Sequence, residues 1–398
     1  MCSRVRADYD NGVCIAGKPA RRAVSSGRLQ NCRMSRYCFC AEGAKCHRQH
    51  FTKADTIALL LLTLPIANVM TRKSTKAATI KDIAQIAGVT NITVSRVFTA
   101  PDKVKPETRE RILAAARTLN YVPNAFARNI KASQSPIIGV VTDDTFNIVY
   151  SHIIKEVCRL SDAKGYSVMF FTTNGNRQIE ARALQTLVSY KAAGIILSVV
   201  EDSDRYDKSH IDVVRHSSSQ LIQLDRQFDT LLPAVYINNS RAGELVAEAI
   251  MKKAFRNVLV IGGSEHSHIT RQRIDGIRSG IDERVTLHTL YTDYRYEHAK
   301  AMIQSWFSTT HERYDAIVGL NGMITLAAIN LANKWGMHDT GFISVDEVPC
   351  AEDFNQVIPY VAHDTGQWAR VVSENIISAI EGRPYETRVM LNGFLKNL

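Results

Sequence analysis

"ATIKDIAQIAGVTNITVSRVF", residues Ala78–Phe98, is the stretch on which the reading of this chain turns. Thr79 stands where a helix N-cap belongs, and Asp82, three residues on, completes a capping box. Ile80, Ile83, Ala84 and Ala87 share one helical face. Gly88 ends that helix, because it tolerates the positive φ that other residues resist. Val89 packs into the turn, and Thr90 caps a second short helix. Val94 and Val97 lie on its inner side. Asn91, Ile92, Ser95 and Arg96 point outward. Helix, glycine turn and helix make the helix-turn-helix pattern, whose second helix can lie in a DNA major groove. The same pattern suits a generic helical hairpin, so the surroundings must decide.

They favour DNA. Pro106 suits the first turn of a third helix that runs to about Asn120. Its apolar stripe is Ile112, Leu113, Ala116 and Leu119. Arg109, Arg111 and Arg117 are available to phosphates. The net charge of the 398 residues, +10, is unevenly placed. Residues 70–135 hold 12 Lys/Arg against 4 Asp/Glu, and residues 1–69 hold 11 against 4. The remaining 263 hold 26 against 31. A compact basic segment on an acidic body fits a polyanion-binding module joined to something that binds elsewhere.

Residues 1–69 read differently from the rest. They contain six of the eight cysteines. In "CRMSRYCFCAEGAKCHRQH" only Cys38 and Cys40 are close, and one intervening residue is too few for a zinc-binding turn. The apolar run "TIALLLLTLPIANV" has the length of a signal-peptide core and is too short to span a bilayer. Export would carry a DNA-binding segment away from DNA. Met70 opens "MTRKSTKAATIKDIA" as a plausible true start. Residues 1–69 are therefore expected to be a disordered or mis-assigned extension. The body has only Cys158 and Cys350, a reducing-compartment pattern that fits the cytoplasm.

After Pro136 strands and helices alternate: "IIGVV", helix Ser151–Lys164, "YSVMFF", helix Glu180–Tyr190, "GIILSVV", "LIQLD". A second cycle runs through "NVLVIGG", "AIVGL" and "GFISVD". Two groups of parallel-strand units predict two doubly wound α/β lobes with a cleft between them. Ligands in such folds bind at the carboxyl ends of strands. Asp225 and Arg226, Asn321 and Asp346 stand there. Arg273 precedes Gly276 in "RQRIDGI". An arginine fork can hold a carboxylate or phosphate in bidentate fashion. The bland alternatives for these residues are solvated loop charges and helix caps. No Gly-x-Ser-x-Gly, phosphate loop or His-Glu-x-x-His motif is present, so neither an enzyme nor a cofactor is expected. His266 and His268 lack further ligands at zinc spacing.

"TIKDIAQIAGVTNITVSRVF", "KPETRERILAAARTLNYVPNAFAR" and the strand "IIGVV" together resemble the lactose/galactose-repressor family of bacterial transcription regulators. The resemblance runs from about Thr79 to the C-terminus. It implies a helix-turn-helix domain over 70–122, a hinge over 123–135 and a two-lobed effector-binding and dimerisation body over 136–398. Thr79 and Thr90 fall within the family's DNA-contacting module. By position, Asn91 and Ile92 match the residues that read bases, and Arg96 a third major-groove contact. Thr93 and Ser95 match phosphate contacts. In "YVPNAFARNIKA" Asn124 would cap a hinge helix, and Ala127 would pack two such helices together. Ile130 falls where the family usually has a leucine that wedges into the minor groove. Being β-branched, Ile130 is expected to wedge less deeply.

The same resemblance turns Asp225, Arg226, Arg273, Asn321 and Asp346 towards the effector. It adds Tyr294, near where relatives present an aromatic ring, and Asn147, which opens the loop after the first strand. That loop departs from the family pattern: the usual Asn-Pro-Phe-Phe reads Asn147 to Tyr150. An Asp-Asn pair reads Asn238-Asn239, a Gly-His pair reads Ala254-Phe255, and an Asn-Asp pair reads Asn321-Gly322. Fewer carboxylates near the cleft could favour a sugar acid or sugar phosphate over a neutral sugar.

Three function classes compete: a ligand-controlled DNA-binding regulator, a sugar-binding protein of the periplasmic type, and an enzyme on the same scaffold. The fold alone would not separate them. The basic helical module favours the first, acting on double-stranded operator DNA and answering to a small sugar-like effector. "GFLKNL" at the C-terminus carries no leucine heptad of the kind that bundles dimers, so a homodimer is expected. A chain that starts at Met70 should bind DNA as well as the full chain in a gel-shift titration. A large loss would give the cysteine-rich segment a role.

Overall fold

The computed structural model describes residues 78–123, 134–310 and 312–398. Residues 1–77 and most of the hinge, including Asn124, Ala127 and Ile130, lie outside the described residues.

The helical module has α1 (Ile80–Ala87), α2 (Asn91–Thr99) and α3 (Pro106–Thr118). The Thr79 backbone N–H donates to the Asp82 carboxylate at 2.7 Å, as a capping box requires. Gly88 ends α1 at φ +63°, and its N–H donates to the Ala84 carbonyl. Thr90 Oγ1 accepts from the Thr93 N–H at 3.3 Å and opens α2. Ile83, Val94, Val97 and Ile112 close a small core with four alanines. On α3 Ile112 is fully enclosed with Ala115 and Ala116 buried beside it, and Leu113 and Leu119 pack at the edge.

The body has two lobes. Lobe one begins with β1 (Ser135–Thr142), α4 (Ile148–Asp162), β2 (Ser167–Thr172), α5 (Arg177–Ser189) and β3 (Ala192–Leu197), then β4 (Gln220–Leu224) and β5 (Ala234–Ile237). Lobe two continues with α6 (Asn239–Lys252), β6 (Asn257–Gly262), α7 (His268–Gly280), β7 (Thr286–Tyr291) and α8 (Tyr296–Thr309). It is completed by β8 (Ala316–Gly319), α9 (Gly322–Lys334), β9 (Gly341–Val345) and β10 (Tyr360–Ala362). Helix α10 (Thr365–Ile380) and β11 (Arg388–Leu391) return to lobe one, and β12 (Phe394–Lys396) ends on lobe two. The chain thus crosses between lobes three times.

Lobe one is a six-stranded sheet in the order β11-β5-β4-β3-β1-β2, parallel throughout. Lobe two has the order β12-β10-β9-β8-β6-β7 and is parallel except at the β10–β12 edge. The central strands are apolar because helices cover both faces; all six residues of β3 are buried. In each sheet the strand order reverses at the first strand, so the ligand crevice falls at the carboxyl ends there.

Two helices start earlier than the sequence suggested. Helix α4 begins at Ile148, not Ser151, because Asn147 Oδ1 accepts from the Val149 N–H at 3.0 Å. Helix α5 begins at Arg177, not Glu180, because Asn176 Oδ1 accepts from Gln178 and Ile179 at 2.8 and 3.2 Å. Asparagine caps satisfy the free N–H groups of a first turn.

Helices α6 and α7 pack backbone to backbone. A Cβ on Gly276 would lie 2.2 Å from the Ser240 carbonyl oxygen, and one on Gly243 would lie 2.1 Å from that of Arg273. No side chain fits either gap. The Arg-x-x-Gly spacing therefore seats α7 as well as carrying an arginine. Gly276→Ala should lower stability by about 1–3 kcal/mol in urea unfolding. A change under ~0.5 kcal/mol would contradict the packing argument.

Candidate functional site

The first candidate surface is the outer face of α2. Its N-terminus presents Asn91, Ile92 and Arg96, all exposed, while Val94 and Val97 are buried beneath them. Ile92 is 66 % exposed, which is unusual for isoleucine. Thr93 and Ser95 are half-buried, nearer the helix root. Thr90 and Thr93 share a hydroxyl–hydroxyl bond of 3.0 Å. Thr79 Oγ1 donates to Asp82 at 2.7 Å. Lys103, Lys105, Arg111 and Arg117 are exposed on the same module. An exposed apolar side chain between an amide and a guanidinium, with hydroxyls and cations around it, suits base edges flanked by phosphates.

The second surface is the cleft. Asn147, Asp225, Arg226, Arg273, Tyr294, Asn321 and Asp346 all line one cavity between the lobes, with about 410 Å³ of empty space. They come from six segments of the sequence, Asp225 and Arg226 being neighbours, and the two sheets bring them together.

Each side chain has a definite hold. Asp225 follows β4 and Asp346 follows β9, at matching places in the two lobes. Both have left-handed backbones, φ +61° and +65°. Their N–H groups donate to matching carbonyls, Val235 and Val361, each at 3.0 Å. Such φ values strain a non-glycine residue and recur at functional sites. Asp225 Oδ2 accepts from the Tyr150 hydroxyl at 2.8 Å, and its Oδ1 is sealed from water without a partner among the described residues. Asp346 Oδ1 meets His363 Nδ1 at 3.0 Å.

The arginines differ. Arg226 pairs with Asp143 at 3.0 Å and donates to the Val200 carbonyl at 2.9 Å. Arg273 Nε donates to Asn239 Oδ1 at 2.9 Å, and its Nη1 donates to the Leu320 carbonyl. Arg273 Nη2 has no partner among the described residues. Both guanidinium groups lie over the Tyr294 ring, at 5.8 and 5.9 Å from its centre. Arg226 comes from lobe one and Tyr294 from lobe two, so this stack spans the cleft. Asn321 caps α9 through Ile324 and donates to the Tyr294 carbonyl at 3.0 Å.

Burial pushes the Asp225 carboxyl above its usual range; Arg273, the Tyr150 hydroxyl and Arg226 pull it partly back. Burial and the Asp225 charge push the Tyr150 hydroxyl well up. Burial raises Tyr294 likewise. Both phenols therefore act as neutral hydrogen-bonding groups.

Sequence reasoning missed five lining residues: Val149, Tyr150, Ile237, Ile269 and Trp368. Tyr150 could have been found, since it follows the first strand. Trp368 could not. It lies on α10, which returns from lobe two to lobe one, and its indole donates to the Val235 carbonyl at 3.2 Å. His266 and His268 pair with Arg205 and Asp204, not with each other. No cluster suited to a metal occurs among the described residues. No helix among them is long and apolar enough to cross a membrane.

Residues 79–124 match the bacterial regulatory proteins of the lacI family, and residues 138–367 match the periplasmic binding protein domain. The HTH-type transcriptional regulator KdgR of Bacillus subtilis is 27% identical over 331 residues, covering 79% of this chain and 94% of that one. The sucrose operon repressor of Staphylococcus xylosus is 25% identical, covering 79% and 97%. Among solved structures, the lac repressor dimer bound to operator and the anti-inducer ONPF aligns with a TM-score of 0.64 at 20% identity, covering 80% and 98%. That likeness is one of fold. Taken with the two domain matches in this order, the relatives show that this chain belongs to the lacI family of bacterial transcription regulators.

Proposed function

We propose that the protein represses sugar-utilisation genes, binding operator DNA as a homodimer in the cytoplasm and responding to a sugar in the interlobe cleft. The observation that carries this reading is the convergence of seven polar side chains from separate segments on one cleft, in a chain that also carries an exposed recognition helix. Membership of a regulator family disfavours a purely periplasmic role. We assign the cleft recognition, not catalysis.

On DNA, Asn91 and Arg96 would read base edges, an amide suiting adenine and a guanidinium suiting guanine. Ile92 offers only apolar contact, which suits a thymine methyl. Thr79, Thr90, Thr93 and Ser95 would hold phosphates and set register. The hinge residues Asn124, Ala127 and Ile130 would act at the operator centre, with paired Ile130 side chains opening the central step.

In the cleft, Arg273 Nη2 is a donor without a partner and Asp225 Oδ1 an acceptor without one. A sugar hydroxyl both donates and accepts, so a polyol satisfies both. Arg226 pairs with Asp143 through Nη1. Both cleft guanidiniums keep nitrogens without a partner among the described residues, Nη2 of Arg273 and Nε and Nη2 of Arg226, so an acid group on the sugar would meet one or both. The lobes already touch across the cleft: Asp202 of lobe one accepts from the Ile269 N–H of lobe two at 2.9 Å. Arg295 of lobe two donates to the Asn174 carbonyl of lobe one at 2.6 Å. A ligand that changes these contacts changes the lobe angle, and through it the spacing of the paired hinges.

Two outcomes check these roles. Arg96→Ala should weaken discrimination between operator and random DNA by roughly 1–3 kcal/mol in competition gel shifts. Equal losses on both DNAs would make Arg96 a phosphate contact. The second concerns Asp225, whose folded-state pKa is raised. Its contribution to stability is fully present below the unfolded value, about 3.9, and is lost as pH rises through the folded value. At neutral pH the raised Asp225 carboxyl therefore works against the fold. Asp225→Asn should be more stable than the natural chain at pH 7, lose that advantage near pH 3, and bind sugar more weakly. Thermal melts that show the variant less stable at pH 7 would contradict the reading.

A further inference from the structure

The empty space does not stop at Asp225. A second cavity, with about 1170 Å³ of empty space, adjoins the cleft. The two share Asp225 from lobe one and Ile269 from lobe two. Asn239, in the second wall, holds the Arg273 of the first. The second cavity lies between the loops after β3 and β4 and the first turns of α7. Apart from Asp225 and Ile269, its lining residues are different from those of the cleft.

Its chemistry is distinct from that of the cleft. Asp202, Asp204, Asp225 and Asp229 line it, with Lys208 and His268 as the only cationic candidates. Several of these groups are already committed. Asp202 holds the Ile269 N–H at 2.9 Å, and Asp229 pairs with Arg215. Lys208 donates to the Phe228 carbonyl at 3.0 Å. The Gln272 and Thr230 side chains are exposed and have no partner among the described residues. Phe228 and Tyr206 supply apolar wall. In the partition itself, Asp225 Oδ1 is sealed without a donor. A buried carboxylate oxygen without a partner is unfavourable, and a hydroxyl at the junction removes the penalty.

An acidic wall repels a phosphate or a second carboxylate. Free amide and hydroxyl groups beside an apolar surface suit a neutral, hydroxyl-rich ring. The cleft is the smaller of the two spaces, and the adjoining cavity extends the room open to a ligand that enters it. We propose that the effector has at least two sugar rings. One sits in the cleft against Arg273 and Tyr294. The next, uncharged, sits in the adjoining cavity against Gln272, Thr230 and Phe228. This rests on the reading of the cleft as a sugar site.

Calorimetry on the full chain separates the two. The probes are sucrose, maltose, cellobiose, lactose and trehalose, beside glucose, galactose, fructose, glucuronate and putrescine. At least one disaccharide should bind about tenfold tighter than each of its component monosaccharides. The Gln272→Ala/Thr230→Ala double variant should weaken that disaccharide about fivefold and leave monosaccharide affinity within about twofold. The thermal melting point, unchanged, would show that the variant folds. Monosaccharides that bind as tightly as every disaccharide would overturn the second ring and leave the cleft reading standing. So would a disaccharide gain that the double variant does not reduce. Putrescine binding that the double variant abolishes would make the cavity an amine site and overturn the proposal. Failure of every sugar to bind would overturn the cleft reading and the proposal with it.

Discussion

A buried guanidinium is the constraint from which the body's design follows. Arg273 is almost wholly enclosed, and a charge so placed survives only with its donors satisfied. Asn239 and the Leu320 carbonyl take two of its nitrogens. The Tyr294 ring takes its face. These partners come from three different segments, so they must arrive together. Gly243 and Gly276 let α6 and α7 approach until backbones touch, and that approach brings Asn239 to Arg273. Strand β8 ends at Gly319 so that Leu320 offers its carbonyl. What remains of the guanidinium is one nitrogen without a partner, Nη2, among the described residues. The protein thus holds a preorganised donor in the cleft wall.

The lobes repeat one device. Each carries an aspartate past the end of its fourth sheet strand in chain order, at a left-handed φ, with its N–H tied to the neighbouring strand. The two carboxylates converge on the cleft from opposite sides. Their surroundings then diverge: Asp346 meets a histidine, and Asp225 meets a tyrosine and keeps one oxygen unsatisfied. Burial works against the charged form of Asp225, a cost in stability of the kind that recurs at functional sites.

Much of this was legible in the sequence because the signals are local. A capping box, a glycine stop and a threonine cap specify α1 and α2 within about twenty residues. The central strands read as apolar runs because both faces of each sheet are covered. The positions after those runs named Asp225, Arg226, Asn321 and Asp346; Arg273 came from its spacing to Gly276, and Tyr294 and Asn147 only from the family resemblance. What was illegible depends on distant contacts. Strands β5, β10, β11 and β12 are three or four residues long, too short for a pattern. Helices α4 and α5 begin at asparagine caps, which read as loop residues until the backbone is seen. Trp368 enters the cleft only because α10 crosses back to lobe one, and no local feature of α10 encodes which lobe it will cover. Asp143 is the clearest case. It lies 83 residues before Arg226, yet it supplies the carboxylate that pairs with that buried guanidinium.

The central claim is that cleft and operator are coupled through the lobe angle. Coupling between two binding sites is reciprocal. The direct measurement is therefore a pair of ratios. One is operator affinity with and without a saturating concentration of the tightest-binding sugar. The other is the affinity of that sugar with and without operator DNA. The account predicts that the two ratios are equal and differ from one, at about 5–150-fold. A sugar that binds the cleft with the same affinity whether or not operator is present would contradict it.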